Sequence, residues 1–68
     1  MSYKSGDRII AKLILGTEFK GVVKDVLPNG KMSIYIDDAK FPGHSDYQNR
    51  YKTIPTDSAN VWKEPAGI

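Results

Sequence analysis

The stretch that decides the fold is residues 18–37, EFKGVVKDVLPNGKMSIYID. Its centre, Leu27–Lys31, holds a proline that fixes φ at the first turn position, followed by Asn and Gly, which tolerate the bridge and left-handed conformations that come next. On both sides of this turn, apolar and polar residues alternate as in strands with one buried face. We therefore predict a β-hairpin, in which Glu18–Leu27 and Lys31–Asp37 are antiparallel strands.

The same alternation continues before the hairpin. Arg8–Leu15 is rich in β-branched and aliphatic residues and is bounded by glycine turns, which predicts a first strand. Gly21, in the middle of the second strand, predicts a bend or a close backbone approach. The residues expected to face the core are Ile9, Ala11, Leu13, Phe19, Gly21, Val23, Met32, Ile34 and Ile36.

The second half of the chain is less regular. We expect a long loop over residues 38–50, a fourth strand within Tyr47–Ile54 and a single 3₁₀ turn at Pro55–Asn60. Val61–Lys63 is the predicted closing strand, with Trp62 in the core. Since no segment has a 3.6-residue period over three turns, these elements predict an all-β barrel of about five short antiparallel strands.

Length and composition limit the chain to one small domain, residues 1–68, in which residues 1–5 and 64–68 are expected to fray. The sequence has no cysteine and no apolar run of about 18 residues, and its first residues are polar. We expect a cytoplasmic protein that begins at Met1 and uses no cofactor. The net charge of +2 permits nucleic-acid binding but does not require it.

Three stretches, Gly6–Lys12, Gly16–Val23 and Met32–Asp38, resemble a Tudor domain. Such domains often have a Gly-led first strand, an aromatic residue before a small one in the second strand, and a third strand that ends in acidic residues. Ile54–Asp57 and Val61–Trp62 resemble the helical turn and closing strand of the same barrel. The resemblance implies an SH3-like (Tudor-type) barrel, a pattern shared with KOW and chromo-like barrels.

The usual task of Tudor domains is to hold a methylated Lys or Arg in a cage of aromatic rings, whose faces attract a cation. The resemblance implies cage walls near Leu13, Phe19, Ile36 and Phe41, of which only the two phenylalanines are aromatic. Asp37 or Asp38 can pair with a cation beside such a site. The alternative role for these two acids is to end the strand by accepting hydrogen bonds from turn N–H groups.

Two functions remain open. The first is a Tudor-like module that binds a protein or peptide partner, for example within a complex that handles nucleic acid. Its groove would contain Phe19, Tyr35, Asp38, Phe41, Tyr47 and Tyr51. The second is a KOW-like barrel that binds nucleic acid directly, with basic residues on phosphates and exposed tyrosines as stacking platforms. The basic residues expected in this role are Lys12, Lys20, Lys24, Arg50 and Lys52.

Catalysis and metal binding are not expected. His44 is the only histidine, and with no cysteine it cannot be part of an ordinary zinc site. Ser45, His44 and Asp46 are adjacent in one loop, where they cannot easily point at one another as a catalytic triad requires. We expect a non-catalytic protein with no membrane partner that is a monomer or a weak homo-oligomer.

Overall fold

The computed structural model describes residues 2–41 and 49–65, which form a five-stranded antiparallel sheet. The strands are β1 (Arg8–Lys12), β2 (Glu18–Val26), β3 (Lys31–Ile36), β4 (Tyr51–Pro55) and β5 (Val61–Lys63). Their order in the sheet is β4-β3-β2-β1-β5. The all-β prediction is confirmed. Within the described residues β4 and β5 do not pair with each other, so the sheet has two open edges.

The central hairpin forms at the predicted Pro-Asn-Gly turn. The Leu27 N–H donates to the Lys31 carbonyl over 2.8 Å, and Gly30 has a φ of 80°, which favours glycine. The register between β2 and β3 shifts between Val23 and Asp25, where β2 has one extra residue. This β-bulge increases the local twist and bends β2.

A close backbone contact is present at Gly21, as its place in mid-strand predicts. A Cβ atom at this position would lie 2.7 Å from the carbonyl oxygen of Tyr35 and 3.3 Å from Cδ1 of Ile36. The first of these neighbours is backbone and cannot move without shifting β3. Position 21 therefore has no room for a Cβ atom, and glycine is the residue that fits there.

The core lies on one face of the sheet and follows the predicted alternation in β1, β2 and β3. Leu13, just after β1, is partly buried and packs against this core. The buried apolar residues are Tyr3, Ile9, Ala11, Phe19, Val23, Met32, Ile34, Ile36, Phe41 and Val61. Tyr3 and Phe41 lie outside the strands, so segments at both ends of the β1–β3 meander help to cover it.

Trp62 is not in the core, contrary to prediction. In β5 the buried residue is Val61, and Trp62 points to the opposite face, where it is partly buried opposite Ile10. A three-residue strand has too few positions for its alternation to show which residue points inward.

β1 is shorter than predicted and ends at Lys12. Ile14–Gly16 form a short 3₁₀ segment instead of continuing the strand. The loop is held by a hydrogen bond from the Leu13 N–H to the Thr17 carbonyl over 2.9 Å. Leu15 has a φ of 51° and is 99% exposed, so it has an unfavourable backbone conformation and buries nothing.

The connection to β5 contains turns where a 3₁₀ turn is predicted. The Ser58 N–H donates to Pro55 over 3.2 Å, and the Val61 N–H donates to Ser58 over 3.4 Å, each bond spanning three residues. β4 begins at Tyr51, and the first residues of the predicted fourth strand, 47–48, lie outside the described residues.

The N-terminal segment, which we expected to fray, packs against the sheet. Tyr3 is buried, and the Ser5 hydroxyl donates to the Lys24 carbonyl over 3.0 Å. At the other end of the chain, the Glu64 N–H donates to the Arg8 carbonyl over 3.0 Å. Residues 66–68 lie outside the described part.

We predict that Gly21→Ala lowers the free energy of unfolding by about 1–3 kcal/mol, because the added methyl group meets the Tyr35 carbonyl. Urea denaturation followed by tryptophan fluorescence measures this change. Lys20→Ala is the matched control, since Lys20 is the exposed neighbour in the same strand. Equal stability of the two variants would contradict the role given to Gly21.

We predict that Leu15→Asn leaves the free energy of unfolding unchanged or raises it by up to about 1 kcal/mol, because Asn tolerates the left-handed conformation better. Gly16→Ala, at a φ of 77° with open space around it, should lower the same quantity by about 1 kcal/mol. Thermal unfolding of the two variants and of the unmodified protein tests both predictions. Clear destabilisation by Leu15→Asn would show that Leu15 makes a contact in the folded chain.

Candidate functional site

The predicted groove residues divide between the two faces of the sheet. Tyr35 and Tyr51 lie opposite each other in register on the outward face, with ring centroids 4.9 Å apart. Tyr51 is 55% exposed. Phe19 and Phe41 lie on the other face, in the core. The structure therefore brings four of the six predicted groove residues together, as two separate aromatic pairs.

The tyrosine pair belongs to a row of apolar side chains on the outward face. Cross-strand partners share a face of a sheet, so the register identifies the row. Tyr35 is opposite Val22, and Trp62 is opposite Ile10, which is diagonal to Val22. We call this row the aromatic band; its members, one from each strand, are Tyr51, Tyr35, Val22, Ile10 and Trp62.

Sequence reasoning found the two tyrosines but missed the other three members of the band. The sequence does contain a signal for them. Ile10 and Val22 are apolar, although each lies between two core-facing residues of its strand and so points outward. On a fully solvated outer face, both positions would be expected to be polar.

Basic side chains flank the aromatic band. Lys24 Nζ lies 5.7 Å from the centroid of the Tyr35 ring, and Lys20 is opposite Ile10. Lys12 and Lys20 are exposed on this face, and Lys12 is opposite Glu18. The outward face thus carries both signs of charge.

Arg8, also on the outward face, is already paired. Its guanidinium makes a bidentate hydrogen bond with the Asp37 carboxylate, and its Nε lies 3.7 Å from Glu64 Oε1. A bidentate geometry orients the guanidinium as well as attracting it. This arginine joins the end of β3 to the end of β5 and is not a free cation.

The cage implied by the Tudor resemblance has no open space. The rings of Phe19 and Phe41 are in edge-to-face contact at 5.1 Å and 74°, and each residue is 3% exposed. Ile36 is fully buried and Leu13 packs against the same core. These four residues form part of the core.

The chain's own cations cover the two phenylalanines. Lys40 Nζ lies 5.8 Å from the Phe19 ring centroid. The Arg50 guanidinium carbon lies 5.4 Å, and Lys52 Nζ 5.8 Å, from the Phe41 ring centroid. The rings of Phe19 and Phe41 therefore already make cation–π contacts with side chains of the same molecule.

Arg50 has a structural role, because it bonds to the backbone of the chain itself. Its Nη1 donates to the carbonyls of Ile36 and Asp38 over 3.0 and 2.9 Å, which ties the residue before β4 to the end of β3. Lys52 is opposite Ile34 in register, on the core side of β4. The five basic residues predicted for nucleic-acid binding therefore do not share one face, because only Lys12, Lys20 and Lys24 point outward.

Asp38 ends β3 through hydrogen bonds to the backbone. Its Oδ2 accepts from the Lys20 N–H over 3.0 Å, and its Oδ1 accepts from the Lys40 N–H over 3.1 Å. These two bonds hold the pKa of Asp38 below its ordinary value. Asp37 is paired with Arg8. Asp38 thus fits the strand-ending role, whereas Asp37 pairs with a cation of the chain itself.

Tyr47, His44, Ser45 and Asp46 lie outside the described residues. In residues 2–41 and 49–65, no three His, Cys, Asp or Glu side chains are grouped so that they could hold a metal ion. The same part of the chain has no helix of the length and hydrophobicity needed to cross a membrane.

We predict that the free energy of unfolding falls as the pH is lowered below about 4. The pKa of Asp38 is lowered by the Lys20 and Lys40 N–H groups, and that of Asp7 mainly by the Lys4 N–H. A lowered folded-state pKa contributes stability above the unfolded value, 3.8 for Asp, which is lost as the pH falls through the folded value.

Urea denaturation at pH 7, 4 and 2.5 measures this loss. Asp38→Asn should reduce the difference between pH 7 and 2.5, whereas Asp25→Asn, at an exposed position, should leave it unchanged. A pH dependence that is the same in all three proteins would exclude Asp38 as a source of acid sensitivity.

The surface that stands out in this geometry is the aromatic band, an outward-facing apolar row flanked by lysines. Comparison of the chain with protein-family models, with curated proteins and with solved structures finds no match.

Proposed function

We propose that this chain is a small non-catalytic binding module of the SH3-like, Tudor-like kind, which holds a protein or peptide partner on its aromatic band. The observation that carries the proposal is the outward-facing pair of the partly buried Tyr35 and the exposed Tyr51. Tyrosine combines a large apolar ring with a polar tip, and such residues are enriched where proteins bind one another.

Several features support an SH3-like arrangement. The strands are short, antiparallel and ordered β4-β3-β2-β1-β5, so that the first strand pairs with both the second and the last. The contact at Gly21 and the bulge before Asp25 both bend the central strand, as curvature into a small barrel requires. Two turns precede β5, where the resemblance implies a helical turn.

The distribution of charge favours a polypeptide over nucleic acid. Binding to phosphates is driven by unpaired Lys and Arg on one surface. On the outward face Arg8 is paired with two acids and Lys12 is opposite Glu18, while Arg50 and Lys52 lie elsewhere. Lys20 and Lys24 are the remaining support for the nucleic-acid alternative.

An extended peptide also finds main-chain partners beside the band. β4 is an edge strand in the described sheet, and Tyr51 is its first residue. A partner strand added to this edge can bond to the main chain while its side chains contact the two tyrosines. Pro55 limits such pairing at the far end of β4, because proline has no N–H to donate.

Selection from a random peptide library displayed on phage tests the proposal. A selected peptide, added to ¹⁵N-labelled protein, should shift the amide signals of Tyr35, Tyr51 and Trp62. Tyr51→Ala should weaken its binding at least about fivefold. Since Tyr51 is largely exposed, this variant should remain folded, and Lys31→Ala, also exposed, is the matched control.

Two outcomes would overturn the proposal. One is peptide binding that is insensitive to Tyr51→Ala. The other is a titration with short single- and double-stranded oligonucleotides that gives salt-sensitive shifts at Lys20 and Lys24 while no peptide is selected, which would assign the band to nucleic acid.

A further inference from the structure

A depression of about 270 Å³ lies between the N-terminal segment and the connection from β4 to β5. It is lined by Tyr3, Thr56, Asp57, Ser58 and Val61. None of these residues belongs to the aromatic band or to the predicted groove. Its volume is below the roughly 300–1,000 Å³ of ordinary small-molecule sites, which suits one side chain better than a cofactor.

We call the two buried lining residues of this pocket, Tyr3 and Val61, its floor, and the three less buried ones its rim. Tyr3 and Val61 are buried members of the core, at 8% and 5% exposure. The Tyr3 ring also attracts a cation within the chain, since Lys63 Nζ lies 5.8 Å from its centroid without lining the pocket. Such a floor accommodates an aliphatic stem and tolerates a positive charge beside it.

The rim of the pocket offers oxygen atoms. Thr56 Oγ1 donates to the Gly30 carbonyl over 3.1 Å and keeps its lone pairs free to accept. Ser58 Oγ accepts from the Asn60 N–H over 3.2 Å and has a second lone pair. Between these two residues in the chain, Asp57 is exposed and lines the pocket with them.

Asp57 differs from most acids of the sheet. Asp7, Asp37, Asp38 and Glu64 each lie within 4 Å of a basic side chain. Across residues 2–41 and 49–65, the Asp57 carboxylate joins no ion pair and accepts no side-chain hydrogen bond, and no basic residue lines the pocket. The lining of the pocket therefore combines an acidic residue that has no ion pair among the described residues with the buried Tyr3 and Val61.

We propose that this pocket binds a single basic side chain, Lys or Arg, of a protein partner. The aliphatic stem would pack on Tyr3 and Val61, and the charged head would donate to Asp57 and to the rim hydroxyl oxygens. Lys and Arg have this combination of an apolar stem and a hydrogen-bonding cation, which matches the floor and rim of the pocket. The site is independent of the aromatic band and does not rest on the function proposed for it.

NMR titration of the labelled full chain with Nα-acetyl-lysine methylamide and Nα-acetyl-arginine methylamide tests this site. We expect weak, saturable shifts of the Ser58 and Val61 amides. Nα-acetyl-norleucine methylamide, which keeps the stem without the charge, should give smaller shifts. Asp57→Asn should weaken lysine binding by about 1.5- to 5-fold, the range of an exposed ion pair.

Asp25→Asn is the matched control, because Asp25 is another exposed acid with no ion pair among the described residues. Equal shifts with the norleucine compound, or equal effects of the two Asn variants, would overturn the proposal. Tyr51→Ala should leave lysine binding unchanged, so failure at this pocket and failure at the aromatic band can be told apart.

Discussion

The contact between Gly21 and the Tyr35 carbonyl fixes how the two central strands meet. A slip of one residue in their register would turn every side chain of β3 to the opposite face. Ile34 and Ile36 would then point to solvent and Tyr35 would enter the core. The close contact at this glycine belongs to the register that places Ile34 and Ile36 in the core and Tyr35 outside, a register that the hairpin turn and the apolar alternation also require.

The two aromatic pairs illustrate opposite uses of the same kind of side chain. Phe19 and Phe41 close the core and are covered by three cations of the chain itself. Tyr35 and Tyr51 pack on each other on the outward face, where Lys24 is the one cation near a ring of this pair among the described residues. The first pair is therefore enclosed by its own chain, whereas the second leaves the Tyr51 ring largely exposed.

The fold was largely predictable from the first 37 residues. A period of two with one buried face is a strong signal, and it located Ile9, Val23 and Ile34 correctly in the core. The turn at Leu27–Lys31 located the hairpin, because few conformations suit its Pro-Asn-Gly sequence. Errors began where elements were short, as for Trp62, or where a strand ended early, as after Lys12.

The site was less predictable, because it depends on contacts between distant parts of the chain. Phe41 was expected to line a groove, but packing from a loop onto Phe19 buries it. Arg50 was expected to meet phosphates, but it bonds to carbonyls at the end of β3. The pocket near Asp57 is lined by both Tyr3 and Val61, which are 58 positions apart in the sequence. A contact between residues so far apart cannot be predicted from a local sequence pattern.

The pairing of β1 with β5 has a consequence for how the chain folds as it is made. Ile9 is opposite Lys63, so the first strand acquires its second neighbour only after Val61–Lys63 has been synthesised. Until then β1 has one unpaired edge, and the β1–β3 meander has an incompletely covered apolar face. Synthesis of Val61–Lys63 therefore adds the fifth strand of the described sheet, and a nascent chain that stops before Val61 exposes the free edge of β1 to pairing with other chains.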